Sequence, residues 1–161
     1  MYIRRKIMRY HMKSKLFKLK EDFWIKNDKE EDAFFVDNKL ISVGLQFKMM
    51  KDNKTLYEVK QKLALLPKYE VMENSEVVAT LNKKLTFIKD RMTINCKYGE
   101  LTVNGNLFDR KYKIYKENKE IADIKKDLFK LTDGYTIDIN FEDEAFILTL
   151  IVIIDDILDK H

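Results

Sequence analysis

Leucine recurs along this chain at nearly constant spacing, and the same short pattern precedes six of its copies. The six are Leu16, Leu40, Leu63, Leu85, Leu107 and Leu128, which are separated by 21 to 24 residues. Apolar residues lie six and four positions before each leucine, and a polar residue or glycine lies two positions before it. Such alternation is typical of a β-strand that buries one face, and its recurrence indicates a repeated β-hairpin. We therefore predict six hairpins whose leucines are equivalent core positions.

A second set of apolar residues follows each leucine and supplies the other strand of each predicted hairpin. The pairs are Phe23 and Ile25, Leu45 and Phe47, Tyr69 and Val71, Met92 and Ile94, Tyr112 and Ile114, and Tyr135 and Ile137. The aromatic residues fall on the repeated columns, which favours a role in the core. With one proline and four glycines, the turns must depend on Asn and Asp, as at 52–54 and 117–119. Six units of two strands predict twelve antiparallel strands over about residues 7–139.

An apolar segment with a different pattern follows the repeats. Glu142, Asp143 and Glu144 precede ten uncharged residues, Ala145–Ile154. Acidic residues ahead of an apolar block favour a helix N-terminus, because they lie at the positive end of the helix dipole. The β-branched residues of the block would also suit a strand, but we predict a helix over about residues 143–158. Ten helical residues span about 15 Å, half the hydrocarbon thickness of a bilayer, which is too short to cross it alone.

The predicted strands and the predicted helix each need the other to complete a core. Eight strands close into a barrel that their own side chains fill, whereas eleven-stranded barrels enclose a helix. Twelve strands would therefore leave a void, and a helix that is apolar on all sides must be buried on all sides. The sequence predicts a single domain over residues 1–161, mainly β, built as a closed twelve-stranded antiparallel barrel around a central C-terminal helix.

Several short motifs of this chain resemble those of the LURP-one-related family. They are Met12–Phe17, Val59–Leu63, Val78–Leu85 and Gly105–Asp109, together with the closing apolar segment. This family shares the tubby C-terminal fold with tubby-like proteins and phospholipid scramblases. The resemblance therefore implies a closed twelve-stranded barrel around a C-terminal helix. Tubby domains bind phosphoinositide head groups and scramblases are membrane proteins, so the resemblance also suggests a lipid ligand, without implying particular site residues.

Few residues of this chain suit catalysis or metal binding. His11 and His161 lack a cysteine or carboxylate at the spacing of metal ligands, so we expect no metal site and no cofactor. Cys96 is the single cysteine, and its place in a strand-like segment favours packing over a role as nucleophile. We therefore predict a non-enzymatic protein. A lone cysteine and the lack of a secretory signal pattern favour the cytoplasm.

The N-terminal region carries the clearest charge bias in the sequence. Residues 1–20 contain eight basic residues and no acidic one. Within this region Arg4, Arg5, Lys6 and Arg9 are the candidate residues for binding anionic phospholipid head groups. Basic residues contribute about 1 kcal/mol each near an acidic membrane. The same pattern would also suit a solvated strand preceded by a tail.

The charge balance of the whole chain narrows the classes of partner. The net charge is only +4, which argues against a dedicated nucleic-acid binder, because basic residues dominate one face of such a domain. We therefore expect peripheral binding to an acidic membrane surface. Two other hypotheses stay open, a protein-interaction scaffold with an unknown protein partner and an enzyme with an unrecognised site in the mouth of the barrel.

Overall fold

The computed structural model describes residues 6–13, 21–39, 44–63, 68–82, 91–107, 109–127 and 134–159. These residues form twelve strands, β1 (Met8–Lys13), β2 (Phe23–Asn27), β3 (Asp32–Asn38), β4 (Gln46–Lys51), β5 (Lys54–Lys62), β6 (Lys68–Glu73), β7 (Glu76–Asn82), β8 (Arg91–Cys96), β9 (Gly99–Asn106), β10 (Lys111–Lys116), β11 (Lys119–Asp127) and β12 (Gly134–Ile139). One helix, α1 (Glu144–Asp159), follows them. Outside the described residues lie Arg4, Arg5, Leu16, Leu40, Leu85, Leu128 and His161.

The twelve strands form one closed barrel in which every strand pairs with its neighbours in sequence. The ring closes where β1 pairs antiparallel with β12, from Met8 opposite Ile139 to Lys13 opposite Gly134. The remaining strand pairs are also antiparallel. The predicted closed antiparallel barrel with a C-terminal helix is therefore confirmed.

Short turns join β2 to β3, β4 to β5, β6 to β7, β8 to β9 and β10 to β11 at one end of the barrel, which we call the turn end; they connect consecutive predicted hairpins. Between β4 and β5 these turn residues are Asp52 and Asn53, and between β10 and β11 they are Glu117 and Asn118; all four have positive φ angles of 50° to 62°. Positive φ at both central residues is the geometry of a type I′ turn, whose twist matches that of the flanking strands. Asn and Asp tolerate this conformation better than most residues, so glycine-poor turns can still be tight.

Alternation along the strands places both predicted apolar columns on the inner wall of the barrel. Every residue of the two columns is buried, including the pairs that precede the leucines and the pairs that follow them. Together with the side chains of α1 they form a single apolar cluster. The hydrophobic pattern of the sequence therefore predicts the inner wall correctly.

The leucines that define the repeat are not equivalent, so that part of the prediction is wrong. Leu107 is fully buried, whereas Leu63 is 59% exposed. Leu63 lies just beyond the last residue of β5, where pairing with the neighbouring strand no longer dictates which way a side chain points. Leu107 also follows its strand, but its carbonyl oxygen accepts a hydrogen bond from the backbone N–H of Arg110, which closes a tight turn.

The C-terminal segment is a helix, as predicted, and its side chains complete the core. Asp143 caps it, because its Oδ1 accepts a hydrogen bond of 3.0 Å from the backbone N–H of Phe146. All side chains from Ala145 to Asp155 are buried. Among the described residues, no helix combines the length and apolar character needed to span a bilayer.

Candidate functional site

The structure places two of the four predicted lipid-binding residues. Lys6 precedes β1 and is exposed, and Arg9 is the second residue of β1 and points outward. Arg4 and Arg5 lie outside the described residues. The basic N-terminal region therefore leads into the outer surface of β1.

Arg9 is already engaged by an acidic residue across the seam that closes the barrel. Its Nε donates a hydrogen bond of 2.8 Å to Asp138 Oδ1, and its Nη2 donates one of 3.1 Å to Oδ2. The two residues lie opposite each other in the β1–β12 ladder. Such a two-bond contact is specific in geometry, and it neutralises part of the charge that Arg9 would present to an acidic surface.

The outer surface of β1 to β4, which we call the β1–β4 wall, carries most of the excess positive charge of the strands. These four strands contain five basic residues, Arg9, Lys13, Lys26, Lys48 and Lys51, and two acidic residues, Asp32 and Asp37. By contrast, β5 to β8 contain five basic and four acidic residues. Strands β9 to β12 contain six basic and five acidic residues.

Charged neighbours modify this wall at its edges. Lys26 Nζ lies 3.5 Å from a carboxylate oxygen of Asp32. The turn between β2 and β3 adds Asp28, Glu30 and Glu31 and one lysine, Lys29, at the turn end. Lys13, the last residue of β1, lies toward the opposite end of the barrel. Glu21, Asp22 and Asp37 also lie toward that end, so acidic residues adjoin the wall at both ends.

Trp24 lies on this wall and is 48% exposed. The prediction that the aromatic residues are core residues is wrong for this position, because Trp24 stands between the inward-facing Phe23 and Ile25. Its ring packs on the half-buried Phe35, with ring centroids 4.8 Å apart and planes tilted by 46°. Phe35 lies opposite Met50 on β4. Trp24, Phe35 and Met50 thus form an apolar row across three adjacent strands. The period-two pattern of the sequence places Trp24 on the outward face of its strand, and this signal could have revealed its exposure.

Tyrosine side chains of the barrel donate hydrogen bonds to the acidic residues at the N-terminal end of α1. Tyr57 and Tyr98 both donate hydrogen bonds to Asp143 Oδ2, the latter at 2.5 Å, and Tyr10 donates one of 3.0 Å to Glu144. Burial, reinforced by these carboxylates, raises the pKa of Tyr98 to about 12 and that of Tyr57 still further. The phenols therefore stay protonated and act as donors. These hydrogen bonds connect the helix to the barrel at the turn end.

A second polar cluster lies at the C-terminal end of α1. Tyr135 donates a hydrogen bond to Asp155 Oδ1, and Tyr69 donates one of 2.8 Å to Asp156. Arg110 donates a hydrogen bond of 2.9 Å to Asp159 and lies 3.5 Å from Asp155. Negative residues at a helix C-terminus interact unfavourably with the helix dipole. The barrel supplies the compensating cation, Arg110, and the tyrosine hydrogen-bond donors. Sequence reasoning missed these partners, because they are distant in sequence.

Asp155 is the acidic residue of this cluster whose carboxyl pKa is strongly raised. It is 2% exposed, and burial raises its pKa from 3.8 to about 6. Its Oδ2 has no hydrogen-bond partner among the described residues. The described residues hold no group of three or more His, Cys, Asp or Glu side chains arranged to bind a metal ion. The geometry of both clusters therefore suits anchoring of the helix better than catalysis or metal binding.

Cys96 and His11 both have structural partners. Cys96 donates a hydrogen bond of 3.3 Å to the carbonyl oxygen of Gly99, and burial raises the pKa of its thiol. A raised pKa disfavours the thiolate that a nucleophile requires. His11 Nδ1 lies 3.4 Å from the hydroxyl oxygen of Thr136 on the neighbouring strand. Within the described part of the chain, each of the two residues thus contacts a neighbouring group of the barrel.

A groove of about 480 Å³ lies elsewhere, on the outer surface of β9 to β11. Two of its lysines are paired, since Lys113 Nζ lies 2.6 Å from Glu120 and Lys125 Nζ lies 3.6 Å from Asp123. The charges along the groove are therefore largely balanced within the protein. This leaves the β1–β4 wall as the better candidate for an anionic partner.

Comparison with known proteins places this architecture in a family. A model described as LURP-one-related matches residues 8–155. The chain belongs to the LURP-one-related family. It is 30% identical over 149 residues to the uncharacterized protein YxjI of Bacillus subtilis (strain 168), and the match covers 91% of each chain. A crystal structure of a protein from Arabidopsis thaliana superposes with a TM-score of 0.69 over 97% of this chain and 94% of that one. At 15% identity, the latter likeness shows the fold alone.

Proposed function

We propose that this protein is a non-enzymatic barrel that binds anionic phospholipid surfaces peripherally through its β1–β4 wall and the basic segment that precedes it. The observation that carries this proposal is the uneven distribution of charge. Strands β1 to β4 contain five basic and two acidic residues, whereas basic and acidic residues are nearly equal in number on the other strands. Lys6 adds a further exposed cation beside this wall, and Arg4 and Arg5 precede it in the sequence.

The expected affinity follows from the number of cations that are not held by acids. Asp138 engages Arg9 and Asp32 lies near Lys26, so these two contribute less than a solvated lysine would. Lys48 lies opposite Asp37 and Glu58 in its two ladders, and Lys51 Nζ lies over the ring of the buried Phe34, so these lysines also contribute less. Lys6 and Lys13 then contribute about 1 kcal/mol each near an acidic bilayer. A total of about 2 kcal/mol corresponds to weak, reversible docking on its own.

Sedimentation with lipid vesicles tests the proposal. Vesicles that contain phosphatidylserine should bind the protein, and vesicles of pure phosphatidylcholine should not. Binding should disappear at high salt, because the Debye length falls from about 10 Å at 0.1 M to about 3 Å at 1 M. Wild-type protein that ignores phosphatidylserine vesicles even at low salt would refute the proposal and favour a protein partner instead.

Paired charge variants locate the binding surface. Lys6→Ala/Lys13→Ala should weaken binding by about 2 kcal/mol, or roughly thirtyfold. The control is Arg91→Ala/Lys111→Ala, which removes two exposed cations from β8 and β10, on the far side of the barrel. The control should bind like wild type, and equal losses in both variants would contradict the assignment to the β1–β4 wall. Replacing Arg4, Arg5, Lys6 and Arg9 by alanine tests the set predicted from the sequence.

A further inference from the structure

We propose that the apolar row of Trp24, Phe35 and Met50 enters the interfacial region of the bilayer and anchors the protein there, an inference that rests on the proposed lipid-binding function. The row supplies what charge alone does not, namely a favourable contact that persists when electrostatic attraction is screened. Attraction of the cations would bring the wall to the membrane, and the row would hold it in one orientation.

The row is continuous because strand pairing brings its members together. Trp24 lies opposite Phe35 in the β2–β3 ladder, and Phe35 lies opposite Met50 in the β3–β4 ladder. The rings of Trp24 and Phe35 are in tilted contact at 4.8 Å, and Trp24 is still 48% exposed. An apolar body with a polar N–H is the chemistry that favours the interface between water and hydrocarbon.

The small size of the row favours a membrane over a protein surface. Lys26 lies two residues from Trp24 on the same outer surface of β2, and Lys48 lies two residues from Met50 on β4. Asp32 lies near Lys26, and Asp37, two residues from Phe35 on β3, lies opposite Lys48, so the size and chemistry of the row, rather than its charged neighbours, favour a shallow apolar insertion. Three side chains fall well short of the about 800 Å² per partner that a stable protein interface buries, so a second copy of this chain is a poorer fit.

Trp24 is the only tryptophan in the sequence, so the fluorescence of the unaltered protein reports on this site directly. With phosphatidylserine vesicles at low salt, the emission should shift to shorter wavelength, and lipids brominated in the acyl chain near the head group should quench it. Pure phosphatidylcholine vesicles should produce neither effect.

The results separate this inference from the proposed function. Protein that sediments with acidic vesicles while its emission stays unchanged and unquenched would overturn the anchor and leave peripheral binding in place. Protein that does not sediment with acidic vesicles would overturn both. A blue shift that depends on protein concentration without any vesicles would show instead that the row joins two copies of the chain.

A pair of apolar variants adds a test that does not depend on fluorescence. Trp24→Ala should weaken sedimentation with acidic vesicles by roughly tenfold, as expected for losing part of a large apolar contact. Val77→Ala is the control, because Val77 on β7 is also exposed, at 51%, and lies far from the β1–β4 wall. Circular dichroism establishes that both variants fold. Trp24→Ala protein that folds and binds like the Val77 control would overturn the anchor.

Discussion

Replacing Asp155 by asparagine tests how the barrel accommodates a carboxyl group at the buried end of α1. Two residues of the barrel contact the carboxyl group, since Tyr135 on β12 donates a hydrogen bond to it and Arg110, just before β10, lies 3.5 Å away. The buried Tyr112 of β10 interacts with it electrostatically, and Asp159 lies one helical turn further on. Despite Arg110, burial dominates and raises the pKa of Asp155 from 3.8 to about 6.

The magnitude follows from the difference in proton affinity between the folded and unfolded chains. A pKa that is raised by about two pH units corresponds to about 3 kcal/mol in the free energy of unfolding. Because the folded pKa is the higher one, this contribution is fully present below pH 3.8 and is lost as the pH rises through about 6. At neutral pH the folded protein therefore carries an ionised carboxylate in an unfavourable place. Asparagine keeps the shape and removes the charge.

Urea unfolding of wild type and Asp155→Asn, near pH 4 and near pH 8, measures the effect. The stability of the variant relative to wild type should increase by about 2.5 kcal/mol between the two conditions, since pH 4 lies just above the unfolded pKa of 3.8 and other carboxyl groups contribute equally to both proteins. Asp52→Asn is the control, because Asp52 is an exposed turn residue with positive φ that asparagine also adopts. Its pH profile should parallel that of wild type. Parallel profiles for Asp155→Asn and wild type would refute the reasoning.

Two further substitutions test the packing of the barrel. Leu107→Ala should lower the free energy of unfolding by about 2–5 kcal/mol, whereas Leu63→Ala, at an exposed position, should change it by less than about 0.5 kcal/mol; similar urea midpoints for the two would show that the burial is misassigned. Gly105→Ala should destabilise more than Gly99→Ala in thermal unfolding. Both glycines have positive φ, but a Cβ at Gly105 would lie 2.6 Å from a backbone oxygen of β10, while one at Gly99 has no neighbour within 4 Å. Equal melting temperatures would contradict the steric argument.

The local sequence pattern determined the elements of this fold. Apolar residues at alternate positions placed Tyr57 and Val59 on an inner wall, and Asp52 and Asn53 marked a turn. Both signals act within a few residues, since alternation follows from strand geometry and turn conformation from the preferences of single residues. The requirement that α1 be buried on all sides then predicted the closed barrel.

Only the tertiary structure decided which outward or terminal side chains meet. Arg9 and Asp138 are 129 residues apart and pair because β1 closes on β12. Trp24 is outward by alternation, but its contact with Phe35 depends on the register of β2 against β3. The shifted pKa of Asp155 likewise depends on burial inside the closed barrel. Alternation specifies which face a side chain occupies, whereas register and closure specify its neighbours, and these depend on the packing of the whole chain.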